Sequence, residues 1–347
     1  MMTSSTREIF NEKTEKYLKS MTNLAETITA SAIKNVQEFP FVRVPKFELL
    51  GSHLRSIVAN DVTIWAPLIT EQQREKWSNF SASEIGWYNE SLTIVQEEEN
   101  TSIDQHEDGE FRGDIWEGSD LIDTNYVAAA SPGPFAPLWQ ISPPALSLSS
   151  INYDLLQNDH IRDLMPALIQ TNDCVMGAAT TGTEGLPKSI AIFQDSVHDL
   201  ESAHPRTDQL TPVFDKLGNN SSIVGFILST IHWDEFLAGV FTPDINGVAV
   251  VIRNNCDQSL SYEVRNGEVR YIESTSGIGY IQCASSNDFY VYVRLSLLHG
   301  ETPMTLHLTR RKFSFPYAPF YTTRLETCKV TVFTVFQCTE QIHLLLK

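Results

Sequence analysis

Val62-Thr63-Ile64-Trp65-Ala66-Pro67-Leu68-Ile69, followed by Thr70-Glu71-Gln72-Gln73, decides how the rest of the chain is read. The first eight residues are apolar, β-branched or aromatic almost throughout, which predicts a buried strand. Thr70 and Gln73 have the spacing of a capping box, which predicts a helix running through Arg74 and Trp77 towards Val95. Upstream, residues 6–36 contain no Gly or Pro, and Phe10, Tyr17, Met21, Leu24 and Ile28 recur at helical spacing. This predicts one long helix, with residues 1–38 forming a stalk. Glu12, Lys13, Glu15, Lys16 and Lys19 make its solvated face. The apolar seam can pack on the following domain or on a second copy in a homodimer. Phe39-Pro40-Phe41-Val42-Arg43-Val44-Pro45 ends the helix, because each Pro moves its predecessor out of the α region. A short helix burying Phe47, Leu50, Leu54 and Ile57 follows.

Downstream, residues 97–114 are acidic and aperiodic and read as an exposed loop. Proline turns flank a short strand over residues 138–142, and residues 153–170 read as a helix. From residue 189 the pattern becomes strand-rich, over residues 189–193, 210–214, 222–232 and 247–252, with a short helix at 234–241. Residues 259–264 and 268–272 are expected to pair across Arg265-Asn266-Gly267, whose Asn-Gly suits a tight hairpin. The predicted fold class is α+β with antiparallel sheets.

The 347 residues carry 43 acidic and 25 basic side chains, a formal charge of −18. Such a surface repels phosphate backbones, so no nucleic-acid partner is expected. The charge is uneven: residues 284–347 hold seven bases and four acids. No run approaches the roughly 20 apolar residues of a membrane-crossing helix. The first ten residues lack the apolar core of a secretion signal. Asn79, Asn89, Asn100, Asn219 and Asn220 each begin an Asn-x-Ser/Thr sequon, a glycan acceptor if the chain enters the secretory lumen. The five cysteines include no Cys-x-x-Cys pair, which argues against zinc and allows one or two disulfides.

Signatures of catalysis are sparse. There is no nucleophile elbow, His-Glu-x-x-His helix or Gly-x-Gly-x-x-Gly loop. Residues 182–189 superficially resemble a phosphate loop, but the Gly-Lys pair is missing and Pro187 removes a donor. His198 and His204, near Asp199 and Glu201, are the best acid–base or metal cluster, but on spacing alone a surface loop is the favoured reading of them. No metal or cofactor is expected. Trp65, Trp116, Trp139, Gln140 and Tyr153 gather aromatic and amide groups beside proline turns. They serve either as pocket walls or as ordinary core.

Phe39-Pro40-Phe41-Val42-x-Val44-Pro45-x-Phe47-Glu48 and Ile64-Trp65-Ala66-Pro67-Leu68-Ile69-Thr70-x4-Glu75-x-Trp77 resemble the ectodomain of receptor-type adenylate/guanylate cyclases of diatoms and related algae. Pro134-Phe135-Ala136-Pro137-x-Trp139-Gln140-x-Ser142-Pro143-Pro144, Ile151-Asn152-Tyr153 and Gly247-Val248-x3-Ile252-x-Asn254-x-Cys256-x-Gln258 extend the resemblance over residues 20–273. Trp65, Pro67 and Arg74 are also similar to CHASE-type extracellular sensors.

The resemblance implies a stalk helix followed by PAS-like (CHASE/Cache-type) sensor lobes over residues 39–275, with a lobe boundary near 175–190 and an atypical tail over 276–347. It implies an extracellular, non-catalytic module that binds a small molecule, here without membrane helices or cyclase. Trp65, Arg74, Trp139, Gln140 and Tyr153 are the expected ligand-binding residues, Arg74 holding an anionic group or pairing with Glu75 or a nearby carboxylate on its own helix. Two other readings stay open: a hydrolase using His198 or His204, and a degenerate structural or interaction protein.

Overall fold

The computed structural model describes residues 4–57, 60–99, 110–118, 127–145, 147–181, 205–218, 220–243, 247–254, 259–275, 288–292 and 329–332. The fold is mixed α+β, and the chain forms two compact units, Tyr17–His232 and Met1–Lys16 with Trp233–Lys347. The lobe boundary expected near 175–190 falls inside the first of these.

Helix α1 (Ser4–Lys34) gives its residues from Tyr17 onward to the first unit. It is followed by α2 (Phe47–Ile57), β1 (Asn60–Pro67), α3 (Arg74–Glu84) and α4 (Trp87–Glu99). Then come β2 (Trp116–Glu117), β3 (Val127–Ala128), β4 (Gln140–Ser142), α5 (Asp159–Thr171), β5 (Val175–Thr181), β6 (Pro205–Phe214) and β7 (Ile223–His232). The main sheet has the order β4-β1-β7-β6-β5, antiparallel at every step.

Register assigns the two faces of this sheet. Thr63 lies between Ser142 and Ser229, and Ser229 lies opposite Gln209, so these four share a face. Helix α1 covers that face. The hydroxyls of Tyr17 and Ser229 are 2.9 Å apart, and the Thr29 hydroxyl donates to the Phe214 carbonyl at 2.8 Å. Tyr17 to Thr29 spans about 18 Å at a helical rise of ~1.5 Å per residue. Gln209 to Phe214 spans about 17 Å of strand at ~3.3 Å per residue. The match means that the helix lies lengthwise along β6. Its apolar seam is therefore occupied: Tyr17, Met21, Leu24 and Ile28 are buried within the chain's own fold. A homodimer through that seam would first have to undock the helix.

The helix ends in a Schellman motif: Gln37 N–H donates to Ala32 O at 2.9 Å, and Val36 N–H to Ile33 O at 3.3 Å. Val36 holds the left-handed position (φ 55°), which normally falls to Gly. Two glycines allow close approaches elsewhere in this unit. A Cβ on Gly51 of α2 would lie 2.0 Å from Ser142 Oγ, and one on Gly225 of β7 would lie 2.4 Å from the Trp65 indole.

The capping region at Thr70 forms as expected in part. Gln73 Oε1 accepts from both the amide and the hydroxyl of Thr70, each at 3.0 Å, and opens a short 3-10 turn, Glu71–Gln73, that runs into α3. The helix expected over 153–170 starts later, at Asp159. Asn158 is its cap, accepting from His160 N at 2.9 Å, and Asn172 (φ 51°) ends it.

The second unit carries α6 (Trp233–Leu237), β8 (Val248–Asn254), β9 (Ser259–Arg265), β10 (Glu268–Thr275), β11 (Asp288–Tyr292) and β12 (Lys329–Val332). Its sheet order is β10-β9-β8-β11-β12, with only β11 and β12 parallel. Asn266 (φ 53°) and Gly267 (φ 81°) both take left-handed conformations, as the predicted tight hairpin requires. Along β9, Leu260, Tyr262 and Val264 are buried and alternate with less buried neighbours. Lys13 donates to the carbonyls of Glu235 (3.2 Å) and Ala238 (3.1 Å), closing the end of α6, while Phe10 stacks edge-on against Phe236.

Candidate ligand-binding face

Three of the residues expected to bind ligand adjoin one another. Trp65 pairs in register with Gln140, and Trp139 N–H donates to Trp65 O at 3.3 Å. Each is 0% exposed, so none borders a space that a water molecule could enter. Trp65 Nε1 is buried with no hydrogen-bond partner among the described residues, whereas the polar side-chain atoms of Trp139 and Gln140 are spent on the scaffold. Trp139 Nε1 donates to Val42 O at 3.0 Å; Gln140 accepts from Val44 N at 2.7 Å and donates to Val44 O at 3.0 Å. Trp139 is the centre of an aromatic cluster with Trp77, Phe80 and Trp87, at centroid distances of 5.3–5.7 Å. In place of the expected pocket walls, the structure gives these residues a role in packing.

Arg74 is a brace. It donates to Ile115 O at 3.4 Å, sits 3.7 Å from the Glu71 carboxylate and stacks over Phe135. The carboxylate it finds lies one turn before it. Tyr153 is buried against Trp116 at 5.0 Å. Burial, and then the charges of Asp154 and Glu117, push its hydroxyl up to about 12. The buried Asp154 carboxylate is also held above its usual range, chiefly by burial. Donors from Ala136 N, Leu156 N and Gln157 Nε2 oppose that effect.

Sequence reasoning passed over Asn152 as a structural hub. In a left-handed conformation (φ 67°), it accepts from Trp77 Nε1 at 3.0 Å. Its amide nitrogen reaches Ser81 Oγ and the carbonyls of Arg112 and Gly113 at 2.9–3.0 Å. An Asn in mid-loop beside aromatic residues was the available signal, since Asn tolerates that conformation.

The sheet face turned away from α1 has a different composition. By alternation it presents Ile64, Ile141, Leu210, Phe226 and Leu228, all fully buried. Towards one end of β6 and β7 it turns polar. Arg206 lies opposite His232, and Asp208 opposite Thr230, whose hydroxyl donates to the Asp208 carboxylate at 2.8 Å. A guanidinium, a carboxylate, an imidazole and a hydroxyl thus share one end of an otherwise apolar face. Arginine there suits bidentate recognition of a carboxylate or phosphate, and an oriented aspartate suits an ammonium or an amide. These four residues are the candidate site. No local motif announces them, because they meet only through strand register.

Among the described residues, no group of three or more His, Cys, Asp or Glu side chains could hold a metal ion. The residues 182–189, His198, Asp199, Glu201 and His204 lie outside the described residues. Cys174 is disulfide-bonded, and the other cysteines also lie outside the described residues. Of the sequons, Asn79 on α3, Asn89 on α4 and Asn220 in the β6–β7 turn are exposed; Asn100 and Asn219 are outside the described residues. Among the described residues, no helix is long and apolar enough to cross a membrane. No protein-family model matches the chain, and no curated protein matches its sequence.

Proposed function

We propose that this chain is a non-catalytic, extracellular ligand-sensing module of the kind found in receptor-type nucleotide cyclases. It binds a small molecule through the β6–β7 end of the main sheet, on the face away from α1. The observation that carries the reading is strand order. Numbered along the chain within that sheet, the strands run 2-1-5-4-3, antiparallel throughout, with a long N-terminal helix laid along one face. A PAS-like sensor sheet would have this order, so it supports the reading drawn from the residue motifs.

Arg206 and Asp208 give this end of the face both signs of charge, so the proposed contact with a ligand rests on the polar end, the apolar residues beside it being buried in the core. An extracellular setting gains support from the disulfide at Cys174, because such bonds persist in oxidising compartments. The exposed sequons at Asn79, Asn89 and Asn220 fit the same setting. The test is thermal-shift screening of the full chain against amino acids, simple carboxylates and nucleobase-like compounds. A ligand that binds only the folded state raises the melting temperature in proportion to the logarithm of its concentration. Saturable stabilisation by one class supports the reading. No stabilisation by any class contradicts it.

A further inference from the structure

Among the described residues, side-chain hydrogen bonds from Tyr17 and Thr29 tie α1 to the main sheet, and each has a further polar group close to it in register or along the helix. Tyr17 meets Ser229, and the residue opposite Ser229 in register is Gln209. Gln209 is fully buried; its amide nitrogen donates to the Thr211 hydroxyl at 3.1 Å, while its Oε1 has no hydrogen-bond partner among the described residues. A buried amide end left unpaired is costly, and a phenol can satisfy it in either amide orientation because the hydroxyl both donates and accepts. At the other tie, the Thr29 hydroxyl reaches Phe214 O at 2.8 Å and also Ala25 O of its own helix at 3.2 Å.

The surface beneath the helix is unusually polar for a core. Thr63, Thr207, Gln209, Thr211 and Ser229 are all buried there. Interdigitated hydrocarbon, here Met21, Leu24 and Ile28, limits how far the helix can move, whereas hydroxyls can exchange partners over a short lateral step.

We propose that α1 has two seats on the sheet, distinguished by whether the Tyr17 hydroxyl bonds Ser229 or Gln209. The change of seat is a sideways movement of no more than about one strand spacing, ~4.8 Å. In the second seat the Thr29 hydroxyl returns to Ala25. The device stands on the packing of α1 alone and does not depend on the ligand-binding reading, though it would give such a module a moving part.

The test is carbon-13 NMR of the full chain labelled at the tyrosine Cζ, a position that ring flips leave unchanged, with Tyr17 assigned by Tyr17→Phe. The expected result is two Tyr17 signals, or one signal broadened by exchange. Gln209→Met, which keeps the volume and removes the amide, should leave a single sharp signal. Gln209→Asn, which shortens the reach, should do the same and guards against misfolding of the first variant. Ser229→Ala should move the population to the other signal. A single sharp Tyr17 signal in the parent chain, without relaxation dispersion, overturns the proposal. So do two signals that both Gln209 variants leave unchanged.

Discussion

Gln140 hydrogen-bonds both backbone groups of Val44 through its side-chain amide, at 2.7 and 3.0 Å. It stands on β4, an edge strand of the main sheet, and takes the place of a further strand there. Gln140→Leu would leave a buried N–H and a buried carbonyl unpaired, each costing about 1–3 kcal/mol. The expected loss is about 2–4 kcal/mol by urea denaturation. Gln140→Glu should be no better, because a carboxylate cannot donate to Val44 O.

Val36 occupies the left-handed position of the Schellman motif while almost wholly exposed, so its side chain gains nothing there. A β-branched residue in that region is strained by roughly 1–2 kcal/mol, part of which Gly returns as greater freedom in the unfolded chain. Val36→Gly should therefore stabilise the protein by about 1 kcal/mol, raising the melting temperature by a few degrees. Val36→Ala, which keeps a Cβ, should recover less.

Gly225 lets the Trp65 ring lie on β7. Gly225→Ala puts a methyl group 2.4 Å from that ring, with the Ala66 carbonyl 2.6 Å away and unable to yield. Overpacking of this kind costs typically about 1–3 kcal/mol, and the backbone contact places this case at the upper end. A Trp65→Leu partner substitution should recover part of the loss, a coupling readable in a double-mutant cycle.

Asp154 and Tyr153 predict opposite ends of the pH profile. Each is raised in the folded state, so each favours folding while protonated and loses that contribution as pH rises through its folded value. For Asp154 the loss begins above its ordinary 3.8. Asp154→Asn, which keeps the accepting oxygen, should thus flatten the decline in stability from acidic to neutral pH. For Tyr153 the loss falls between 10 and about 12. Burial also raises Tyr17 and Tyr262, so alkaline unfolding should release a cooperative group of phenolates in an ultraviolet titration.

Local chemistry was legible in the sequence, and register was not. The Asn266-Gly267 turn, the long Gly- and Pro-free helix and the strand around Trp65 each follow from neighbouring residues, and each forms. Trp139 and Gln140 were visible as unusual, but their partners Val42 and Val44 lie nearly a hundred residues away. Without those partners, a packing amide looks the same as a binding one. Arg206, Asp208, Thr230 and His232 are unremarkable along the chain and become a cluster only when β6 pairs with β7. The late start of α5 was readable, since Asn158 is a good cap, but an apolar run upstream obscured it.

The central claim is that the β6–β7 end of the face opposite α1 holds a ligand. It is tested most directly by repeating the thermal-shift panel on Arg206→Ala, Asp208→Asn and, as a control in the packed aromatic cluster, Trp139→Phe. The account predicts a compound whose stabilisation of the parent chain is lost in one or both charge variants and kept in Trp139→Phe. Stabilisation that survives both charge variants unchanged would place the site elsewhere and contradict it.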